Sequence, residues 1–550
     1  MGLKQLIKKA IIDAIIKLQN DNYFDVEFDA NQVKFNLSEP NVPEKLNIEN
    51  NFYAYSSNVA FVLKAYKKAA PTQIASEITN LLNQNQYIQK IDIAMPGFLN
   101  IVLNNEAFTK VIENILKNQE TFGEMDEELT KERINIEFVS ANPTGFLHVG
   151  HVRGAVYGDS LARIYKHAGF NIEKEYYIND AGNQINILAD STLVRYQNLF
   201  GIDTKLPEDS YGGMDIVWLA NQIKDQYGDK FLDLAFKEEL KELAVKILLE
   251  KIKSDLARIN VTFDTYSSEK FIKEQGMIEP VLDKLKNDTY VDESGALFLK
   301  TEAKGDDKDR VLVKSDQTYT YLLPDVAYHE TKYAKADKLI NIWGADHSGY
   351  IKRMKVAMEY LGHDPEKLDI LTIQLVRLIK DGQEFKMSKR LGTSVTLEDL
   401  LEMSSSDVIR FTMLTREINN KFDFDIDLAN SQDNNSSVFI VQYAYSRTVS
   451  LLAKLANNEL KVIDFSDKAK KLIIQLDNFQ ELISTIVQTS KVNLLSQYLI
   501  DLARDFNSFY SETKLIGHQD ETVYASVVET TKIILGLGLS LIGVSAPSKM

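Results

Sequence analysis

The 550-residue sequence contains no cysteine. Disulfides, cysteine-ligated zinc or iron–sulfur centres and a thiol nucleophile are therefore excluded, and a reducing compartment, the cytosol, is the expected setting. Proline (10) and glycine (25) are too few for a collagen-like or low-complexity chain. Apolar residues make up 44% and charged residues 26%, the balance of an ordinary packed protein. Long apolar runs are missing too. The longest uncharged one, Ile533 to Ala546, is broken by three glycines and falls short of the ~20 residues that cross a bilayer. It predicts a buried helix and no membrane partner. Positive charge is in deficit: 63 Lys and Arg against 79 Asp and Glu leave a net charge of -16, the wrong sign for coating nucleic acid indiscriminately. A polyanionic partner must be met on a local basic surface.

What is present points to several domains, since the length predicts roughly three or four units of about 150 residues. Leu3, Leu6, Ile7, Ala10, Ile11, Ala14, Ile15 and Leu18 recur at helical spacing, and Asp13 interrupts what would otherwise be a signal-peptide core. Ile91 to Leu103 alternates around Pro96-Gly97, which predicts a strand, a turn and a strand in a small α+β domain. An apolar strand is expected at Arg133 to Val139, and the sheet is expected to continue through Ile172 to Ile178, Lys338 to Trp343 and Ile370 to Leu378. The helical patterns between them give the alternation of a parallel, doubly wound sheet. The Lys/Glu-rich stretch Met214 to Asn260 reads as a helical insertion. From about Thr396 onward helical patterns dominate with one proline, Pro547, which predicts a helix bundle.

Two familiar nucleotide motifs fail. Gly344 and Gly349 have P-loop spacing, but Tyr350 and Ile351 stand where Lys and Ser/Thr are required, and no G-x-G-x-x-G comes after the first strand. That strand leads instead into Leu147-His148-Val149-Gly150-His151, which puts two of only seven histidines on one face of a strand-to-helix turn. Two imidazole donors beside helix N-terminal amides suit phosphate oxygens on which negative charge develops, and Gly150 would let a flat base pass the backbone. A helix-capping pair or a metal site are the alternatives, the latter lacking a third ligand in range. A second cluster, Phe385-Lys386-Met387-Ser388-Lys389-Arg390, comes after a Lys380-Asp381-Gly382 turn. Alone it reads as a solvated basic loop. With the histidines after the first strand and the lysines after the last, on one sheet, the pair reads as a triphosphate-holding device.

With both clusters in place, the sequence resembles the class I aminoacyl-tRNA synthetases, whose two signatures appear here as HVGH and KMSKR. Ile136 to Gly145, Glu175 to Gln184 and Gly344-Ala345-Asp346-His347 narrow the resemblance to bacterial arginyl-tRNA synthetases over nearly the whole chain. The resemblance implies an α/β fold. It would comprise an N-terminal α+β domain (1–115) for the tRNA elbow, a Rossmann-like catalytic domain (116–395) with a helical insertion near 190–300, and a helical anticodon-binding domain (396–550). It implies ATP-dependent activation of L-arginine with Mg²⁺ on the phosphates, then transfer to the 3′ end of tRNA(Arg), releasing AMP and pyrophosphate, in a cytoplasmic monomer. Carried over by position, His148, His151, Lys386 and Lys389 are the catalytic candidates. Gly150, Asp346, Met387 and Ser388 would bind ATP. Glu137, Asn142, Glu269, Tyr321, Asp325 and His347 would bind arginine, and Phe98, Asn100 and Met550 tRNA; no metal-ligating residue is implied. Paired carboxylates suit a guanidinium fork and would reject lysine without editing. The bundle departs from the family pattern at Asn434-Asn435-Ser436-Ser437 and at Tyr445-Ser446-Arg447. A catalytically silent tRNA-binding relative and a neighbouring class I specificity are the rival readings.

Overall fold

The computed structural model describes residues 2–40, 51–385, 394–455 and 459–550. Helix α1 (Leu3–Asn20) buries six of the eight apolar residues whose spacing predicted it, with Leu6 and Ala10 half-buried beside them. It has no side-chain cap of its own. The Leu3 amide donates instead to the Asp477 carboxylate at 2.6 Å, so a residue of the C-terminal helices closes the N-terminus of the first. Strands β1 (Leu37–Ser38), β2 (Tyr55–Ser57), β3 (Ile88–Ala94) and β4 (Phe98–Leu103) form an antiparallel sheet in the order β1-β2-β4-β3. Helices α2 (Val59–Leu63), α3 (Pro71–Leu82) and α4 (Asn105–Asn118) complete this α+β unit. The strand, turn and strand read from Ile91 to Leu103 are β3 and β4.

The central sheet is parallel, in the order β12-β11-β5-β6-β7: β5 (Arg133–Glu137), β6 (Asn171–Ile178), β7 (Thr265–Ser268), β11 (Lys338–Gly344) and β12 (Leu368–Ile373). Helix α5 (Val149–His167) crosses from β5 to β6, and Gly158 lets it lie directly on the Phe138 ring, where a Cβ would overlap. From β5 the chain moves to β6 on one side, while β11 pairs on the other. The order therefore reverses between β5 and β11, and α/β sheets bind ligands outside the carboxyl ends of strands at such a point. Between β6 and β7, helices α6 (Asn183–Asn198), α7 (Met214–Tyr227) and α8 (Lys237–Arg258) enclose a separate apolar core around Leu219, Ile223 and Leu248. After β7 come α9 (Glu269–Glu274), α10 (Glu279–Leu285) and the antiparallel strands β8 (Thr289–Val291), β9 (Leu297–Leu299) and β10 (Arg310–Val313), so the region expected to be a helical insertion carries a small sheet as well. Helices α11 (Leu322–Tyr333) and α12 (Ile351–Tyr360) flank β11.

The strand expected from Ile370 to Leu378 is two strands. The Gln374 amide bonds to the Ile418 carbonyl (3.0 Å), and β13 (Val376–Lys380) leaves the main sheet to pair with β14 (Gln383–Glu384) and β15 (Phe422–Asp425). The lysine cluster thus comes after a strand of this small second sheet, not the last strand of the central one. Helices α13 (Leu397–Met403), α14 (Ser406–Met413) and α15 (Ile426–Ala429) surround β15, and α16 (Ser437–Leu452), α17 (Asp467–Thr489), α18 (Asn493–Glu512) and α19 (Glu521–Leu541) form the bundle. Helix α19 is long and apolar enough to cross a membrane by composition, but 67% of its most apolar window is buried, as the reading of Ile533 to Ala546 required. Fully buried Arg410 ties bundle to sheet. It donates to the Ile542 and Ile259 carbonyls and to the Asp159 carboxylate of α5, each at 2.7 Å.

Candidate active site

Beyond β5 the backbone turns through Val139 (φ 68°) and Ser140 (φ 39°), a left-handed pair that non-glycine residues rarely adopt. Side chains hold it there: Ser140 Oγ donates to Glu137 Oε1 (3.2 Å) and accepts from the Tyr177 amide of β6 (3.0 Å). Further along, Gly145 passes so close to Asp215 of α7 that a Cβ would overlap the carboxylate, whose pKa burial pushes up. The insertion thereby braces the loop that leads into the histidines.

His148 caps α5. Its Nδ1 accepts from the Gly150 amide (3.1 Å), and His151 Nδ1 accepts from the His148 amide (3.3 Å). The rings lie face to face, 3.8 Å between centroids at 30°. Burial holds both imidazoles below the ordinary histidine pKa, and for His151, with the neighbouring His148 adding to it, the value falls to about 3. Both rings are therefore neutral near pH 7. With each Nδ1 accepting, the proton sits on Nε2, so the pair offers two neutral Nε2–H donors. The capping alternative is thus part of the geometry, not a rival to it. Two expectations change. Gly150 makes room for the His148 ring, since a Cβ there would stand 2.9 Å from His148 Cε1. The first helical amides are already used, that of Val149 by the Val395 carbonyl (2.9 Å) and that of Gly150 by His148.

Lys386, Met387, Ser388 and Lys389 lie outside the described residues. The chain from Gly392's far side onward, beginning at residue 394, is described, and it is joined to the histidine segment. Besides the Val149 to Val395 bond, the Leu397 amide donates to the Leu147 carbonyl (2.8 Å), and His148 faces Thr396 in an antiparallel bridge.

A cleft of about 490 Å³ opens at the carboxyl ends of the central strands, and all six candidates for arginine line it: Glu137, Asn142, Glu269, Tyr321, Asp325 and His347. Glu137 ends β5, Glu269 comes directly after β7 and pairs with Lys273, Asp325 lies in the first turn of α11 and Tyr321, 81% exposed, precedes it. Asn142 Nδ2 donates to Gln184 (2.6 Å) at the cleft's other end. His347 and Asp346, 3.5 Å apart, are exposed in the turn after β11. The cleft is electronegative. Burial, then Glu269, Asp325 and Glu137, push the Tyr177 hydroxyl far up. Burial opposes ionisation of Glu137, but the Lys332 ammonium beside it outweighs burial and keeps the carboxyl below its usual range. Sequence reasoning missed Ser140, Tyr177, Tyr350, His329 and Lys332. A signal for the last two was present: Asp325, His329 and Lys332 fall at i, i+4 and i+7 and so share one face of the helix. Among the described residues no group of three or more His, Asp or Glu is arranged to hold a metal ion.

The tRNA candidates are dispersed. Phe98 is 40% exposed beside Met95 and against Phe61 (4.9 Å). Asn100 is 5% exposed, on β4 between β2 and β3, so it does not lie on the free surface as a contact residue would. Met550 is exposed at the end of a segment held on α16, where Ser446 Oγ donates to the Pro547 carbonyl (2.6 Å). On the same helix the Arg447 guanidinium lies over Tyr443 (4.6 Å) and Tyr510 (4.9 Å), both partly exposed.

Comparison with known proteins matches three family models in succession: an arginyl tRNA synthetase N terminal domain over residues 3–103, a catalytic domain of class I (R) tRNA synthetases over 111–444 and a DALR anticodon binding domain over 441–550. The arginine–tRNA ligase of Mycoplasma mobile is 43% identical over 100% of this chain and 99% of its own, and that of Bacillus subtilis 43% identical over 90% and 92%. Among solved structures, a putative arginyl tRNA synthetase from Campylobacter jejuni aligns with a TM-score of 0.77 at 32% identity, covering 82% of this chain and 100% of its own. The Thermus thermophilus arginyl-tRNA synthetase shares the fold over 100% of both chains, with a TM-score of 0.75 at 21% identity. The three models in their order, and relatives matching end to end, establish that the chain belongs to the arginyl-tRNA synthetase family of class I.

Proposed function

We propose that this chain is an arginine–tRNA ligase that activates L-arginine with ATP to arginyl-adenylate and transfers it to the 3′ end of tRNA(Arg), using the residues gathered at the cleft. The observation that carries the assignment is the convergence of all six arginine candidates on one electronegative cavity at the switch point of the sheet. Glu269 and Asp325 take the guanidinium, with Tyr321 beside it. Asn142 and Glu137 take the α-amino group, and His347 lies at the rim. This orientation directs the arginine carboxylate toward the ATP α-phosphate. The Nε2–H groups of His148 and His151 donate to the α-phosphate oxygens as charge builds on them, and Lys386 and Lys389 supply cations to the β- and γ-phosphates. Asp346, Gly150, Met387 and Ser388 belong to the nucleotide side. Magnesium is carried on the phosphates, consistent with an ion that keeps its waters and needs no protein cage.

Phe98 meets the tRNA elbow from the N-terminal unit (1–115). Within 396–550, Tyr443, Arg447 and Tyr510 form an aromatic and cationic face suited to stacked bases, with Met550 on the same domain. The enzyme is read as a cytosolic monomer. The test is arginine-dependent exchange of pyrophosphate into ATP, and aminoacylation, with total tRNA present and each of the twenty amino acids in turn. Arginine alone should give product, and exchange with another amino acid, or with none, refutes the reading.

A further inference from the structure

Behind the cleft a buried polar network links its two ends. Lys332 of α11, 1% exposed, donates to Glu137 Oε2 and to Asn341 Oδ1, both at 2.8 Å. Asn341 lies directly across from Glu137 in the sheet, and its Nδ2 donates to His329 Nε2 at 2.7 Å. His329 Nδ1 then donates to the Asp325 carbonyl (2.7 Å) and lies 3.4 Å from the Asp325 carboxylate. At the far end, Glu137 holds Ser140 in its left-handed turn. One chain of hydrogen bonds thus runs from the backbone carbonyl of Asp325, whose carboxylate is expected at the guanidinium, to the Glu137 carboxylate and the turn expected at the α-amino group. None of Lys332, Asn341 and His329 is among the residues lining the cleft.

We infer that Lys332 and His329 are positioning residues for arginine: through Asn341 they set the orientation and charge of Glu137 and Asp325 against each other. The physical case is the cost of a buried, unpaired carboxylate. Without Lys332, Glu137 faces the desolvated floor with no cation, and it either takes up a proton or turns away, releasing Ser140. Without the His329 donor, the first turn of α11 loses the bond that orients Asp325. A carboxylate uses two of about four lone-pair sites on Lys332 and Ser140 and keeps the others for the substrate ammonium. None of these hydrogen bonds reaches the imidazole pair or the segment Val395 to Leu397 beside it. Arginine affinity should therefore fail without loss of ATP affinity.

The inference rests on the proposed function, and the experiment separates the two. Exchange of pyrophosphate into ATP is measured with tRNA present for the parent, Lys332→Met, His329→Leu and His329→Asn, with circular dichroism melts of each. Absence of arginine-dependent exchange in the parent refutes the function. Given a normal parent, Lys332→Met and His329→Leu should raise the arginine KM about tenfold or more, the scale of one buried hydrogen bond to a charged group, with the ATP KM within twofold. His329→Asn retains a donor near the Nδ1 position and should recover most of the affinity. Should Lys332→Met fail to fold, the neutral His329 pair decides alone. Unchanged arginine KM, an ATP KM that rises in step with it, or a defect in His329→Asn as large as in His329→Leu overturns the inference.

Discussion

Replacing Gly150 by Ala separates the catalytic use of the histidine turn from its stability. Gly150 has an ordinary helical backbone, so alanine is tolerated there and by intrinsic preference stabilises the helix by about 0.4–1 kcal/mol. The new methyl, however, would stand 2.9 Å from Cε1 and 3.0 Å from Nδ1 of His148, well inside the ~3.5–4.0 Å at which carbon atoms rest. The ring must swing away, giving up the Gly150 amide bond and its place against His151. The Nε2–H of His148 then no longer points where it did. Loss of one transition-state donor costs about 10²–10³ in rate, and a displaced donor a part of that, so activation should fall about 10-fold to 10²-fold. The assay is tRNA-dependent pyrophosphate exchange at saturating arginine, read beside a thermal melt. Unchanged turnover would show that His148 is not held by that bond for catalysis. Lost activity with earlier melting would show that the damage is to the fold.

Complete removal of either partner should be more severe: His148→Ala and Lys389→Ala should each lower the activation rate by about 10² or more with folding intact, and near-normal turnover in both would exclude the phosphate assignment. Asp325→Asn should raise the arginine KM about tenfold and admit lysine more readily; an unchanged arginine KM removes Asp325 from recognition. His151 makes a prediction about stability. The fold holds it neutral to about pH 3, whereas the unfolded chain protonates it near the ordinary value of about 6.5. In that window the unfolded state binds more protons, so this contribution is present above pH ~6.5 and is lost as pH falls, by about 2 kcal/mol at pH 5. Urea unfolding at pH 7 and pH 5 should show a shallower pH dependence for His151→Gln than for the parent, and identical slopes would contradict the burial argument.

The parallel sheet was legible because β5, β6 and β11 are strand-like segments separated by helical patterns, and few folds accommodate that alternation. The misses have local causes. Strand β7 reads Thr-Tyr-Ser-Ser, too polar and short for an apolar-run criterion. Its polarity is spent inside the sheet, where Thr265 bonds to Glu173 (2.5 Å) and Ser267 to Glu175. Strands β12 and β13 read as one because no Gly or Pro separates them; the break between them is fixed by Ile418, more than forty residues away. Strand β15 was absorbed into a helical region although Phe422 and Phe424 alternate with aspartates, a period-two signal that outranks the surrounding composition.

The site divides differently. The donors of the short histidine motif were legible, because one local segment delivers both residue and direction, as with His148 and His151; Tyr321 and Asp325 came only with the family resemblance. What no motif records is which groups the fold consumes. The histidine turn has several backbone amides and two imidazoles, yet Val149 and Gly150 give their protons to Val395 and His148, and each ring gives its Nδ1 to an amide. Only the two Nε2–H donors are left over, and burial keeps both rings uncharged. A neutral pair can orient phosphate oxygens, but it cannot balance the charge of a triphosphate. The cations must then come from elsewhere, and the chain that bonds to this turn, Val395 to Leu397, is the one that leaves Lys386 and Lys389. In the proposed mechanism the two signatures are complementary for that reason: one would contribute fixed dipoles, the other net charge, and neither alone would suffice for the α-phosphate to be attacked.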